Sequence, residues 1–226
     1  MYFMSDTGQG RAKKTLRFAN RKMFKEAFKK LEMEEVAAIV DQVNKQVDGS
    51  LFDPLETTVL SFDLSFYPGY RFLDISDHAT NPPLQRYVLH KDENYTLLDW
   101  TYRPIYKTNE QAPISLNPSN VLDYVRFFFS NVRGRHGRFH IIESLENINW
   151  KEEPSPSERK SYGKLIAPMK IVDKLKHGVF KLEARMMLKA TLFKADIYVE
   201  PNGKAVLANH EILQENMPIL DHVTGQ

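Results

Sequence analysis

The chain has 226 residues, a formal net charge of +2 and no cysteine. A chain of this length buries enough apolar surface to fold without disulfides. The absence of cysteine excludes disulfide frameworks, thiolate-bound metals and a catalytic thiol. With 42% hydrophobic and 27% charged residues, the composition is typical of a globular protein and not of a disordered tail.

The apolar runs of the chain are each only a few residues long. A secretory signal needs an apolar stretch of roughly 7–15 residues, and a membrane-spanning helix needs about 20. We therefore expect a soluble, cytoplasmic protein.

Residues 13–48 predict one long, basic amphipathic helix. No glycine or proline interrupts residues 12–48, and Gly49 marks the predicted end. Apolar residues recur at spacings of three and four before and after an acidic cluster at residues 32–35, which is typical of one amphipathic face. Residues 1–12 are predicted to form a flexible N-terminus.

Positive charge is concentrated in this first segment. Residues 11–30 contain nine basic residues and one acid, a net charge of +8, so the rest of the chain carries −6. The favoured interpretation is a solvated helix face that pairs with the protein's own acids. The alternative is peripheral contact with an anionic membrane or with nucleic-acid phosphates, made by Arg11, Lys13, Lys14, Arg17, Arg21 and Lys22.

The chain between residues 49 and 116 changes to a period of two. Apolar and polar residues alternate from Thr57 to Phe66, which predicts a half-buried strand. The sequence Tyr67-Pro68-Gly69-Tyr70 fits a β-turn, and residues 104–117 are predicted as loop. The strands predicted in this half cover residues 57–66, 71–75, 85–90 and 95–102.

The second half begins with a predicted helix. Asn117-Pro118 is a helix start signal, and the helix runs to about Asn131 with an apolar centre that must be covered on nearly all sides. Residues 151–160 are polar with two prolines and predict exposed loop. Strands are predicted over residues 139–143, 164–173, 180–199 and 204–212, with a bulge or tight bend near residues 191–193, where the apolar parity changes.

Because strands occur in runs and do not alternate with helices, the pattern predicts an α+β fold. We expect a long N-terminal helix and curved antiparallel sheets packed on helices, in a domain over residues 49–212 that divides into sub-lobes 49–116 and 117–212. Residues 213–226 are predicted as a C-terminal tail. In general shape the pattern resembles the cystatin-like and NTF2-like architectures, whose curved sheets often enclose a pocket.

The best candidate site is a segment with four arginines and no lysine in thirteen residues. Arginine forks suit phosphate and carboxylate groups, and Gly134 and Gly137 allow backbone N–H groups to face an anion. The predicted ligand-binding residues are Arg126, Arg133, Arg135, His136 and Arg138. The alternative is a basic surface turn whose arginines pair with acids such as Glu152 and Glu153.

A metal site is not expected. His136, His140 and Glu143 come nearest to a metal-ligand spacing, but residues 140 and 143 of a strand point to opposite faces. We predict neither a metal nor a cofactor.

The favoured functional hypothesis is a non-enzymatic binding module for an anionic small molecule or a protein partner, because no catalytic motif accompanies the arginines. The main alternative is a small-molecule enzyme that uses Asp and His as acid and base in a cone-shaped pocket. Its candidate carboxylates are Asp63, Asp74, Asp77 and Asp99. A homo-oligomer is compatible with either hypothesis.

Overall fold

The structure, a computed structural model, describes residues 28–112 and 114–220. Within these residues the chain forms four α-helices and eleven β-strands. The helices are α1 (Met33–Asn44), α2 (Arg103–Gln111), α3 (Val121–Asn131) and α4 (Pro156–Gly163). The strands are β1 (Lys29–Lys30), β2 (Thr57–Asp63), β3 (Arg71–Asp77), β4 (Leu84–Lys91), β5 (Asn94–Leu97), β6 (Arg133–Gly134), β7 (Gly137–Ile141), β8 (Lys170–Lys174), β9 (Phe180–Leu188), β10 (Thr191–Val199) and β11 (Ala205–Gln214).

The strands form two sheets whose neighbouring strands are all antiparallel. The first sheet has the order β1-β2-β3-β4-β5, and the second has the order β11-β10-β9-β7-β6. Strand β8 pairs with the first half of β9, beside the part of β9 that pairs with β7. The predicted α+β class with antiparallel sheets is confirmed.

The long helix predicted over residues 13–48 is not confirmed: within the described part of this range only Met33–Asn44 is α-helical. Lys29 and Lys30 form β1, which pairs with Leu60 and Ser61 of β2, and α1 begins only at Met33. The acids that interrupt the apolar stripe lie in the first turn of α1, where they interact favourably with the helix dipole. They therefore mark the start of the helix. Residues 1–27, with the predicted basic contacts Arg11, Lys13, Lys14, Arg17, Arg21 and Lys22, lie outside the described residues.

Helix α1 covers one face of the first sheet. Its buried side chains recur at spacings of three and four, as expected for one face of an amphipathic helix. They pack on apolar residues of β2, β3 and β4 in one core cluster, which includes Val36, Ile39, Val40, Val43, Val59, Leu73, Ile75 and Val88.

Helix α3 lies between the two sheets. Phe127 contacts Phe66 and Phe72 on the side of the first sheet, with ring centroids 5.4 and 5.8 Å apart, and Phe129 contacts Phe139 of β7. All three phenylalanines of the helix are buried. The prediction that this helix is covered on nearly all sides is confirmed. Its start is three residues later than predicted, because Asn117 to Asn120 form a turn before the helix.

Two segments predicted as loop contain helices. Helix α2 replaces most of the loop predicted over residues 104–117, with Ile105, Thr108 and Asn109 as its buried face. Helix α4 begins inside the loop predicted over residues 151–160. It is capped by Ser155, whose hydroxyl accepts from the Glu158 backbone N–H while the Glu158 carboxylate accepts from the Ser155 N–H. This capping box outweighs the two prolines, one of which occupies the first helical turn.

The parity change in the last third of the chain is a hairpin turn. Strand β9 ends at Leu188, β10 begins at Thr191, and these two residues are paired. Lys189 takes a left-handed φ of 51° in the two-residue connection. The sequence predicts a bulge or a tight bend near residues 191–193; the bend lies at residues 189–190, and a register irregularity lies between Leu192 and Phe193 in the pairing of β10 with β11.

Residues 215–220, which belong to the predicted tail, pack against the body of the protein. Met217 and Ile219 are buried in a small core with Ile142, Ile148 and Leu192. Ile219 also forms an isolated antiparallel bridge with Trp150.

A buried network of polar groups joins four separate segments. The Tyr67 hydroxyl donates to the Asn109 side-chain carbonyl, and the Asn109 amide donates to the Asn202 carbonyl oxygen at 3.0 Å. The Tyr124 hydroxyl donates to the Gly203 carbonyl oxygen at 2.5 Å. Burial raises the pKa of both tyrosines above its usual range, so they remain neutral donors. The network fixes the β10–β11 hairpin against α2 and α3.

We predict that Gly203→Ala destabilises the protein more than Gly49→Ala does. Both glycines have positive φ, 82° and 93°, so each alanine adds about 1–2 kcal/mol of backbone strain. A Cβ on Gly203 would also lie 2.7 Å from the Tyr124 hydroxyl, whereas a Cβ on Gly49 meets nothing within 4 Å. The collision should cost about 1–3 kcal/mol more, measured as the difference between the two urea unfolding free energies. Equal losses would contradict the account.

Candidate functional site

The predicted arginine segment forms a short hairpin after α3. Strands β6 and β7 pair Arg133 with Arg138 and Gly134 with Gly137, and Arg135 and His136 form the turn. Gly137 has a φ of 126°, and a Cβ on Gly134 would lie 3.0 Å from the Phe139 ring. The two glycines therefore permit this tight hairpin because side chains at these positions would be strained or would collide.

Trp100 lies beside the hairpin in an unusual backbone conformation. Its φ is 66°, a left-handed value that is uncommon for a bulky residue. Its carbonyl oxygen accepts from the Arg133 backbone N–H at 2.8 Å, and its ring meets the Tyr87 ring edge to face at 5.6 Å. Strained residues of this kind are held in place by the surrounding structure and cluster at functional sites.

Two guanidinium groups pack on the indole ring of Trp100. The Arg133 guanidinium carbon lies 4.4 Å from the ring centroid and that of Arg138 lies 4.9 Å from it, both within the range of cation–π attraction. Arg138 is largely covered and donates from Nη2 to the Ser130 carbonyl oxygen. Its burial lowers the pKa of Arg138; the nearby Tyr87 opposes this shift and the charge of Arg133 adds to it.

Arg135 and His136 are exposed at the turn of the hairpin. The structure therefore brings four of the five predicted ligand-binding residues together on one hairpin. We call Arg133, Arg135, His136, Arg138 and Trp100 the arginine hairpin site.

Arg126, the fifth predicted residue, is held by the protein's own acids. It donates from Nε and Nη2 to the two carboxylate oxygens of Glu143, both at 2.8 Å, and from Nη1 to Asp123 at 2.7 Å. The Glu143 hydrogen bond is the main cause that raises the pKa of Arg126. Arg126 follows the pairing alternative, with Glu143 and Asp123 as partners and not Glu152 or Glu153. We leave it out of the arginine hairpin site.

The predicted carboxylates do not converge. Asp74 accepts from the Gln85 amide at 2.8 Å on one face of β3, and Asp77, three residues later, lies on the other face. Asp63 lies at the opposite end of the first sheet from Asp77. Asp99 accepts from the backbone N–H and the hydroxyl of Thr101 at its own turn.

No metal-binding cluster is present within residues 28–112 and 114–220, where no group of three or more His, Asp or Glu side chains could hold an ion. Glu143 is one of the three residues considered as metal ligands. Both of its carboxylate oxygens accept from Arg126, and one also accepts from the Met169 backbone N–H at 3.1 Å. In the same part of the chain no helix is both long and apolar enough to cross a membrane.

No known protein family, curated protein or solved structure matches this chain.

Trp100 is the residue of this site that was not among the predicted ligand-binding residues, although its amphipathic ring is of a kind that can line a pocket or an interface. It is separated from Arg133 by more than thirty positions, and nothing in its local sequence announces a left-handed conformation. The sequence predicts Trp100 inside a strand over residues 95–102, whereas β5 ends at Leu97 and Trp100 lies in the connection that follows, where loops carry functional residues more often than regular elements do.

We predict that Arg126→Gln destabilises the protein by about 1.5–3 kcal/mol, since it removes charge-assisted hydrogen bonds from a largely covered pair. The side chains of Arg126 and Glu143 are 14% and 23% exposed. The control is Arg159→Gln, whose ion pairs with Glu146 and Glu153 are mostly exposed and should contribute at most about 1 kcal/mol. Thermal or urea unfolding of both variants measures the difference, and equal losses would show that the Arg126 pair is no stronger than a surface pair.

Proposed function

We propose that the chain is a binding protein for a small anionic molecule and that the ligand's phosphate or carboxylate group binds at the arginine hairpin site. One observation carries the proposal. Arg133 and Arg138 lie directly opposite each other on a hairpin whose strands pair at two positions. Both guanidinium groups lie close to the Trp100 ring centroid, at 4.4 and 4.9 Å.

The arrangement places two positive charges side by side on paired strands. Like charges directly opposite each other on paired strands are destabilising, and the covered Arg138 adds a desolvation cost. An anion between Arg133 and Arg138 would offset both costs. A site whose local choices oppose stability is where function is expected.

The chemistry of the two side chains selects the ligand group. A guanidinium presents N–H donors in a planar fork that matches two oxygens of a phosphate or carboxylate. Stacking on Trp100 restrains Arg133 and Arg138 before the ligand arrives, which reduces the entropy lost on binding. Arg135 and His136, exposed at the turn, add positive potential at the entrance to the site.

We predict that inorganic pyrophosphate or citrate quenches or shifts the fluorescence of Trp100, and that Arg133→Gln and Arg138→Gln each weaken this binding about tenfold or more, as expected for loss of a charge-assisted contact. The chain has two tryptophans, so the titrations are made in a Trp150→Phe background in which Trp100 is the remaining indole. Binding should also weaken as salt concentration rises.

The matched control is Arg159→Gln, which removes one positive charge from exposed ion pairs on α4 and should leave the affinity within about twofold after the salt is matched. Circular dichroism confirms that each variant is folded. Failure of both probes to bind, or equal affinity in the hairpin variants and the control, would reject the proposal.

A further inference from the structure

A row of polar side chains crosses the first sheet on the face that carries α1. Neighbouring strands pair Asp63 of β2 with Arg71 of β3, Arg71 with His90 of β4, and His90 with Tyr95 of β5. Residues that are directly opposite on paired strands share a face. Glu35 lies in the first turn of α1, which covers this face, and its carboxylate accepts from Arg71 Nη1 at 2.7 Å.

His90 is the centre of the row and both of its ring nitrogens are engaged. Arg71 Nη2 lies 3.2 Å from His90 Nδ1, and His90 Nε2 lies 2.8 Å from the Asp92 carbonyl oxygen. Because arginine is always a donor, Nδ1 must accept and Nε2 must carry the hydrogen. The contacts therefore require a neutral His90. The Tyr95 ring packs on the imidazole, with centroids 4.4 Å apart.

Protonation of His90 would break this arrangement. A hydrogen on Nδ1 would point at the Arg71 guanidinium, which replaces a hydrogen bond by repulsion between two cations. Burial and the charge of Arg71 lower the pKa of His90, and the Asp92 carbonyl, Glu35 and Asp92 oppose this shift without reversing it. Burial and the charge of Glu93, in the β4–β5 turn, raise the pKa of the neighbouring Tyr95. Asp63 is the remaining charged residue of the row.

Arg71 is the residue through which the change would reach α1. Its other bond is the ion pair with Glu35, which joins the first turn of α1 to β3. If Arg71 moves away from a protonated His90, this ion pair must rearrange, and the first turn of α1 loses its side-chain attachment to β3, while residues 29–31 stay bonded to β2. The attachment holds the apolar face of α1 against the sheet, and Val36 and Ile39 are the buried residues of this face nearest to the start of the helix.

We propose that Glu35, Arg71 and His90 form a pH-sensitive latch that holds the N-terminal end of α1 on the first sheet in neutral solution and loosens it in acid. The direction of the pH dependence follows from the hydrogen bonds of His90. Neutral His90 fits the folded protein and protonated His90 does not, so the unfolded or opened state binds the proton more readily. The attachment is complete above about pH 6.5, the ordinary pKa of histidine, and is lost as the pH falls through the lower pKa of the folded state.

The test compares hydrogen exchange of the α1 amides at pH 7.5 and pH 5.5 in the wild-type protein and in His90→Gln, after correction for the intrinsic exchange rates. Glutamine can accept from Arg71 with its carbonyl and donate to the Asp92 carbonyl with its amide, but it does not titrate. In the wild type the opening of α1 should increase by up to about tenfold per pH unit below pH 6.5. In His90→Gln it should stay within about twofold, because no proton is taken up.

His210→Gln is the matched control, because His210 is exposed on β11 of the second sheet and its loss should leave the wild-type response of α1 unchanged. A second measurement does not depend on any variant: the imidazole nitrogens of wild-type His90, followed by NMR, should show the Nε2–H form and titrate below pH 6.5. An equal response of α1 in the wild type and in His90→Gln, or a folded-state titration of His90 at or above pH 6.5, overturns the proposal.

Discussion

Helix α3 has an apolar surface on nearly every side, and it is removed from water only because the two sheets cover it from opposite directions. Phe127 packs on Phe66 and Phe72 of the first half of the chain, and Phe129 packs on Phe139 of the second. A single core cluster therefore contains residues of both sheets and of the helix. Neither sheet could be removed without exposing the helix, so the two halves of the chain depend on each other for burial.

This central helix also determines where the arginine hairpin lies. Strand β6 begins two residues after α3 ends, so the burial of α3 places Arg133 at the boundary between the sheets. There its backbone N–H bonds to Trp100, which belongs to the connection between the first sheet and α2. The proposed binding site is thus built from both halves of the chain, whereas the proposed latch lies on the opposite face of the first sheet, under α1.

The sequence predicted those parts of the fold that depend on neighbouring residues. Alternation located β2, β9 and β10, and the apolar centre around Phe127 predicted a covered helix. The start of α1 was predicted wrongly because Leu31 continues the helical spacing, although in the structure it follows a strand and its N–H bonds to Val59. Helices α2 and α4 were missed because polar composition and proline outweighed the spacing of Ile105 and Thr108 and the capping box at Ser155.

The sequence alone determined that this is a cysteine-free α+β chain with antiparallel strands and a run of arginines interrupted by two glycines, since periodicity, composition and turn residues are local properties. Only the tertiary structure decided what each charge meets. It paired Arg126 with Glu143, placed Arg133 and Arg138 on Trp100, and brought Glu35 to Arg71 beside His90. These contacts join residues that are distant in the chain, and they depend on strand register and on the packing of helices between and upon the sheets, which no local pattern encodes.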